Sequence, residues 1–146
     1  MGKLTNSIVI SGPPAVGKTT IARGIAEEFD LKFLAGGDLL KEIFLKGNVV
    51  ITSYTIPWIV DYGIKIWLDG SLENSAKRMT ARDNVSVEKS SEIAKTRYDE
   101  NKIIYKELYG FEFGKDLSVF HKIVKTDGLN ASEVLKITVS VIKELL

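Results

Sequence analysis

The stretch Gly12-Pro13-Pro14-Ala15-Val16-Gly17-Lys18-Thr19 carries the clearest chemistry in the chain, because it reads G-x-x-x-x-G-K-T. The apolar run Ser7-Ile8-Val9-Ile10-Ser11 precedes it and a helical pattern follows, the strand–loop–helix setting that this spacing requires. Backbone N–H groups from about Ala15 to Thr20 converge in such a loop and meet the positive end of the helix behind it, so a polyphosphate fits there. Pro13 and Pro14 have no N–H to offer and stiffen the entrance. Lys18 is placed to reach the terminal phosphates, and the Thr19 hydroxyl to hold Mg2+. Together these residues predict a nucleoside triphosphate site.

The elements that must carry this loop follow from hydrophobic spacing. Ile21, Ala22, Ile25, Ala26 and Phe29 recur at three- and four-residue intervals, which predicts a helix from Thr19 to Phe29, ended by Asp30. Further strands are predicted at Leu31–Leu34, Val49–Thr52, Ile64–Leu68 and Lys122–Lys125 from their apolar, β-branched character. Asp38 is placed to cap a helix through Leu39, Leu40, Ile43 and Phe44, which Gly47-Asn48 breaks. Ser71 caps another through Leu72, Ala76 and Met79, with Arg78 and Arg82 sharing a face. Ser86 caps a longer one, stopped by Gly110, whose stripe is Ile93, Arg97, Tyr98, Asn101, Ile104, Tyr105 and Leu108. The tail alternates like a strand at Ile137–Val141. Ser132-Glu133 caps well, however, and Val134, Ile137, Val141 and Leu145 keep helical spacing, so a helix is expected. Strands alternating with helices argue for an α/β protein with a parallel sheet covered on both faces.

Length allows one domain over residues 1–146, with 45% hydrophobic and 27% charged residues as in ordinary globular proteins. A net charge of +1 gives no reason to expect nucleic acid or an anionic membrane as partner. No apolar run approaches the roughly 20 residues of a membrane helix, and residues 1–6 run into the first strand without a signal-peptide pattern. The lack of cysteine removes disulfides, a thiolate nucleophile and Cys-ligated metal. A cytoplasmic monomer is expected.

Three later segments narrow the reading. Leu34-Ala35-Gly36-Gly37-Asp38, the pair Arg78-x-x-x-Arg82, and Arg97 followed by Tyr105-Lys106-Glu107-Leu108-Tyr109-Gly110 resemble the archaeal-type cytidylate kinases, over nearly the whole chain. That resemblance implies a P-loop NTPase three-layer sandwich with a five-stranded parallel sheet, a lid over about 78–100 and an acceptor-binding region over about 35–48. It also implies transfer of the γ-phosphoryl group of ATP to CMP, and to dCMP, giving ADP and CDP, with Mg2+ as cofactor. A phosphate monoester has a second pKa of about 6, so the acceptor is already an anionic nucleophile near pH 7 and no general base is needed. Catalysis then rests on aligning two polyanions and offsetting their charge.

By the same resemblance, the loop from Gly12 to Thr20 and Thr126 bind ATP, and Lys18 bridges the phosphates. Arg78 and Arg82 lie over the ATP side, and Arg97 clamps the transferring group. Gly36, Asp38 and Lys41 serve the acceptor. Lys41 stands where an arginine is usual, keeping the charge but losing the two-pronged grip on phosphate. Plainer readings exist for each. The arginines fit a solvated helix face pairing with Glu73 or Glu100, Asp38 a helix cap, and Thr126-Asp127 a strand-to-helix turn. His121, between Phe120 and Lys122, reads as packing or surface.

Two features depart from the resemblance. After the third strand the family shows an acidic residue and, two places on, an arginine; here those places hold Thr52 and Tyr54. Ala35 to Asn48 is also about the dozen residues that a parallel crossover minimally needs, where the family places a few dozen residues of acceptor-binding helices. Either those helices are absent, leaving a core with little to select a pyrimidine, or the chain as written omits a mobile segment; the second is favoured. Two other functions compete. One is a different kinase on the same core, of adenylate, shikimate or gluconate type, and the other is a nucleotide-binding module that transfers nothing.

Overall fold

Strands and helices alternate along the chain in the computed structural model, which describes residues 6–13, 16–35, 41–84 and 86–146, the side chains of Leu72, Arg78 and Val87 excepted. Strands β1 (Ile8–Ser11), β2 (Lys32–Ala35), β3 (Val49–Thr52), β4 (Ile64–Asp69) and β5 (Lys122–Lys125) form one sheet in the order β2-β3-β1-β4-β5. Every pairing is parallel, with Ile8 opposite Val50 on one side and Ile64 on the other. The expected five-stranded parallel sheet is present. Chain direction along the sheet reverses beside β1, so the crevice beyond the carboxyl ends of β1 and its neighbours is where a ligand belongs.

Parallel strands covered on both faces must be apolar throughout, and Ile8, Val9 and Ile10 are each fully buried. Helices α1 (Lys18–Phe29) and α6 (Ala131–Leu145) pack on one face, where Ile21, Ile25, Val134 and Ile142 meet Ile10, Ile66 and Leu68. The short helices α2 (Lys41–Lys46) and α3 (Ile56–Ile59) bring Phe44 and Ile56 against Val9 and Ile51 on the other. Helix α4 (Leu72–Asp83) lies against α5 (Val87–Tyr109). No helix among the described residues is long and apolar enough to cross a membrane.

Several expectations shift. Strand β2 starts at Lys32 rather than Leu31, and α1 starts at Lys18 rather than Thr19. The tail is helical as expected, but Asn130 caps it instead of Ser132. Its side chain accepts the Glu133 N–H at 2.9 Å while Glu133 accepts the Asn130 N–H at 3.2 Å, a reciprocal box that Ser132 could not form. Helix α3 was not anticipated. The Ser53 hydroxyl starts it by accepting the N–H groups of Thr55 and Ile56, each at 3.1 Å, and Pro57 sits in its first turn.

The stripe expected on α5 is only partly buried. Ile93, Tyr98, Asn101 and Tyr105 are half-buried and Arg97, Ile104 and Leu108 exposed, while two residues outside the stripe, Ser90 and Ala94, are fully covered. Helix α4 ends at Asp83, so only the first half of α5 has a helix across from it. Of the stretch between β2 and β3, the described residues from Lys41 onward form α2 and the turn into Val49. Gly36, Asp38, Leu39 and Leu40, and with them the expected cap at Asp38, lie outside the described residues.

Candidate functional site

The loop leaves β1 at Gly12, passing so close to β4 that a Cβ there would meet the Leu68 carbonyl oxygen at 2.6 Å. Gly17 caps α1 at φ 101°, in the left-handed region that glycine adopts without strain. Val16 between them is buried and wedged beside Gly12 and Gly70, which fixes the loop against the sheet. Pro14 and Ala15 lie outside the described residues.

Lys18 opens α1, and its ammonium donates to the Gly12 carbonyl at 3.2 Å and the Pro13 carbonyl at 2.8 Å. The Tyr54 ring covers it, with Nζ 4.5 Å from the ring centroid. Burial pushes the amine down to about 7, because the charged form loses its water. Thr19 and Thr20 follow in the first turn and are exposed. The Thr19 hydroxyl offers one protein oxygen to a cation. Among the described residues no group of three or more His, Cys, Asp or Glu could hold a metal. Mg2+ commonly takes one or two protein groups together with phosphate oxygens and waters, so this donor set fits an ion that arrives with a nucleotide.

The loop beyond β5 lies nearby. Thr126 is buried and donates its N–H to the Asp69 carbonyl at 3.1 Å. The Asp127 carboxylate accepts the Ser71 N–H at 3.1 Å and the Asn74 amide. A cavity of about 30 Å³ separates Val16, Gly17, Thr20 and Ile21 from Ala131 and Val134, between the phosphate loop and the start of α6. A larger hollow of about 440 Å³, lined by Gly24, Glu28, Leu135 and Lys143 among others, includes no loop residue.

The expected arginines differ in setting. Arg82 grips its neighbour Asp83 with two prongs, at 2.8 and 2.9 Å; the hydrogen bonding raises the guanidinium pKa and lowers that of the acid. The partner is therefore neither Glu73 nor Glu100. Arg97 is exposed on α5. Its charge contributes to lowering Asp83 and opposes the burial that raises the Tyr54 hydroxyl, so its field spans the space between the end of α4 and Tyr54. The Arg78 side chain, Gly36 and Asp38 lie outside the described residues, and Lys41 is exposed at the start of α2.

Tyr54 is the site residue that sequence reasoning missed, having been noted only as a departure. Its position two residues past β3, a strand beside β1, was the available signal. The ring meets the edge of Phe113 at 5.6 Å and lies 6.4 Å from Tyr105. Phe113 is fully buried among Trp58, Trp67, Tyr98 and Tyr105. Thr52, at the other departing position, ends β3 half-buried. His121 is exposed and exchanges backbone and ring hydrogen bonds with Lys65 at 2.8 and 3.0 Å.

An AAA domain family matches residues 11–93, the span from the loop to the first turns of α5. A cytidylate kinase from Staphylothermus marinus is 31% identical, covering 95% of this chain and 97% of its own length. That match runs over 173 positions; since 95% of 146 residues is about 139, about 34 positions have no residue opposite them here. Among solved structures, an uncharacterized protein from Eubacterium ventriosum superposes with a TM-score of 0.77 at 16% identity, covering 94% of this chain and 98% of that one. A shikimate kinase from Acinetobacter baumannii does so at 0.65 and 17%, covering 97% and 94%. At those identities the two structures speak for the fold. With the lysine-headed loop, the sheet order and the whole-chain match in agreement, the chain belongs to the P-loop nucleoside monophosphate kinases of archaeal cytidylate kinase type, which are ATP-dependent enzymes.

Proposed function

We propose that the chain transfers the γ-phosphoryl group of ATP to CMP, and to dCMP, releasing ADP and CDP. The observation that carries this reading is the 31% match to a cytidylate kinase across 95% of the chain. An acceptor phosphate oxygen forms the new bond to the γ-phosphorus as the bond from that phosphorus to the bridging oxygen of ADP breaks. Lys18 turns from the Gly12 and Pro13 carbonyls to the phosphates, exchanging two neutral acceptors for anionic ones. Arg97 clamps the transferring group from α5, and Arg78 and Arg82 close over the ATP side. The Thr19 hydroxyl would hold Mg2+, which would supply charge neutralisation. The loop from Gly12 through Pro13, Pro14, Ala15, Val16, Gly17 and Lys18 to Thr20 cradles the phosphates, with Thr126 beside the base. Gly36, Asp38 and Lys41 hold the acceptor.

Residues 1–146 act as one domain, with a lid over about 78–100 and a shortened acceptor region over about 35–48, as a cytoplasmic monomer without nucleic-acid or membrane partners. The 34 or so positions lacking a counterpart, together with Thr52 and Tyr54, favour one second reading: a nucleotide-binding module that keeps the loop but transfers nothing. Incubation with ATP and Mg2+ against CMP, dCMP, UMP, AMP and shikimate, with the products separated, decides between them. CDP formation supports the kinase. ATP binding with no product from any acceptor supports the module, and phosphorylated shikimate or ADP from AMP would replace the acceptor. An intact mass larger than the 146 residues predict would reveal an omitted acceptor segment.

A further inference from the structure

We propose that Tyr54 is a positioning residue for Lys18, holding the phosphate-binding ammonium in place with the face of its ring and linking it to α5. The inference rests on the loop being a nucleotide phosphate site, and it concerns the donor side alone. A lysine has four rotatable bonds, and one reaching into a wide crevice samples many directions before substrate arrives. Here the ammonium is confined from two sides. Gly12 and Pro13 carbonyls take two of its three donors, and Tyr54 covers it from above at 4.5 Å, inside the range where a cation is drawn to a ring face.

The ring is itself fixed. It abuts the fully buried Phe113 edge-on and lies beside Tyr105 on α5, while its strand-end position places it next to the loop. An aromatic ring can hold a cation without competing for the hydrogen-bond donors that phosphate needs. Phosphate oxygens can therefore replace the two carbonyls while the ammonium pivots on the ring. A cationic side chain at this position would instead repel Lys18 in the empty site. Because Tyr54 touches Lys18 on one side and the α5 cluster on the other, the lysine and the helix carrying Arg97 share one support.

A double-mutant cycle on ATP affinity tests this. Equilibrium binding of ATP with Mg2+ and no acceptor is measured for the parent, Tyr54→Leu, Tyr54→Phe, Lys18→Met and Lys18→Met/Tyr54→Leu, each checked for folding by circular dichroism. Tyr54→Leu is expected to weaken ATP binding about tenfold, Tyr54→Phe to restore it by keeping the ring, and the Leu change to have no effect once Lys18 is Met. Equal losses from Tyr54→Leu in both backgrounds would mean a merely structural role and overturn the proposal, as would ATP binding unchanged or tightened in Tyr54→Leu. Tyr54→Met carries the same comparison if the Leu variant does not fold. Failure of the parent to bind ATP would sink the nucleotide reading as well. Absence of CDP formation with the coupling present would sink the proposed acceptor and leave Tyr54 in its role.

Discussion

Asp127, in the loop beyond β5, ties itself to the start of α4 by accepting the backbone N–H of Ser71 at 3.1 Å. The same carboxylate takes the Asn74 amide, while the Ser71 hydroxyl accepts the Asn74 N–H at 3.1 Å. The helix that carries Arg78 and Arg82 is thereby anchored beside Thr126. Asp127→Ala is expected to cost about 1 kcal/mol of stability, modest because the group is exposed. It is also expected to raise the KM for ATP several-fold while leaving that for the proposed acceptor, CMP, unchanged. Urea denaturation and initial rates measure both, and an unchanged ATP KM would remove this anchor from the donor side.

Lys18→Ala is expected to nearly abolish turnover with the fold intact. The ammonium's hydrogen-bond acceptors are two carbonyls of its own loop, and the Tyr54 ring above it keeps its packing against Phe113, so its loss breaks no hydrogen bond to another element. No other described lysine lies at the head of α1. Product formation and circular dichroism give the two readings, and activity within a few-fold of the parent would contradict the role of Lys18 in phosphate binding.

Local chemistry explains which parts were legible in the sequence. The loop spacing, the Ser71 and Ser86 caps and the Gly110 stop are set by residues within a few positions of one another. What escaped depends on tertiary neighbours. Periodicity groups Arg97, Ile104 and Leu108 with Tyr98 and Tyr105, but nothing in that stretch records that α4 ends too early to cover them. Helix α3 has four residues, too few to show a period. Tyr54 lies far from Lys18 in the chain, and only the pairing of β3 with β1 brings them together.

Ser75 offers a stabilising change. Its hydroxyl is buried in α4 with no hydrogen-bond partner among the described residues, and the residue is 1% exposed. An unpaired buried hydroxyl costs free energy, and alanine is the better helix former, so Ser75→Ala should raise stability by about 1 kcal/mol. The urea midpoint should rise with the activity unchanged. A lower midpoint would show that the hydroxyl is satisfied by something the side chain meets in solution.

Lys65 on β4 gives a pH dependence of its own. The residue is 6% exposed on β4, and its ammonium donates to the Val60 carbonyl. Burial lowers its pKa, against an opposing pull from Asp61. The native state therefore binds fewer protons than the unfolded chain between the lowered value and the ordinary 10.5. Stability should climb with pH across that window. Lys65→Met, which keeps the stem and removes the charge, should flatten this part of the curve and give its greatest relative gain at the low-pH end. Denaturation curves from pH 6 to 10 for both proteins test it, and parallel curves would show that Lys65 titrates normally.

Arg82 and Asp83 decide between a surface pair and a closing lid. Both groups of the pair are exposed, with side-chain exposures of 59% and 45%, so the contact adds little to stability. Its consequence is positional: both prongs of the guanidinium are held by a neighbour on the same helix, where they cannot meet a nucleotide. If Arg82 closes over ATP, that pair must break first, and Asp83→Asn should lower the cost. The variant is expected to bind ATP a few-fold more tightly and to keep its denaturation midpoint, while Arg82→Ala weakens binding and makes the Asn change silent in the double variant. Should Asp83→Asn leave ATP affinity where it was, Arg82 belongs to the solvated face of α4, and Arg97 would then be the remaining described arginine of the set to meet the phosphates.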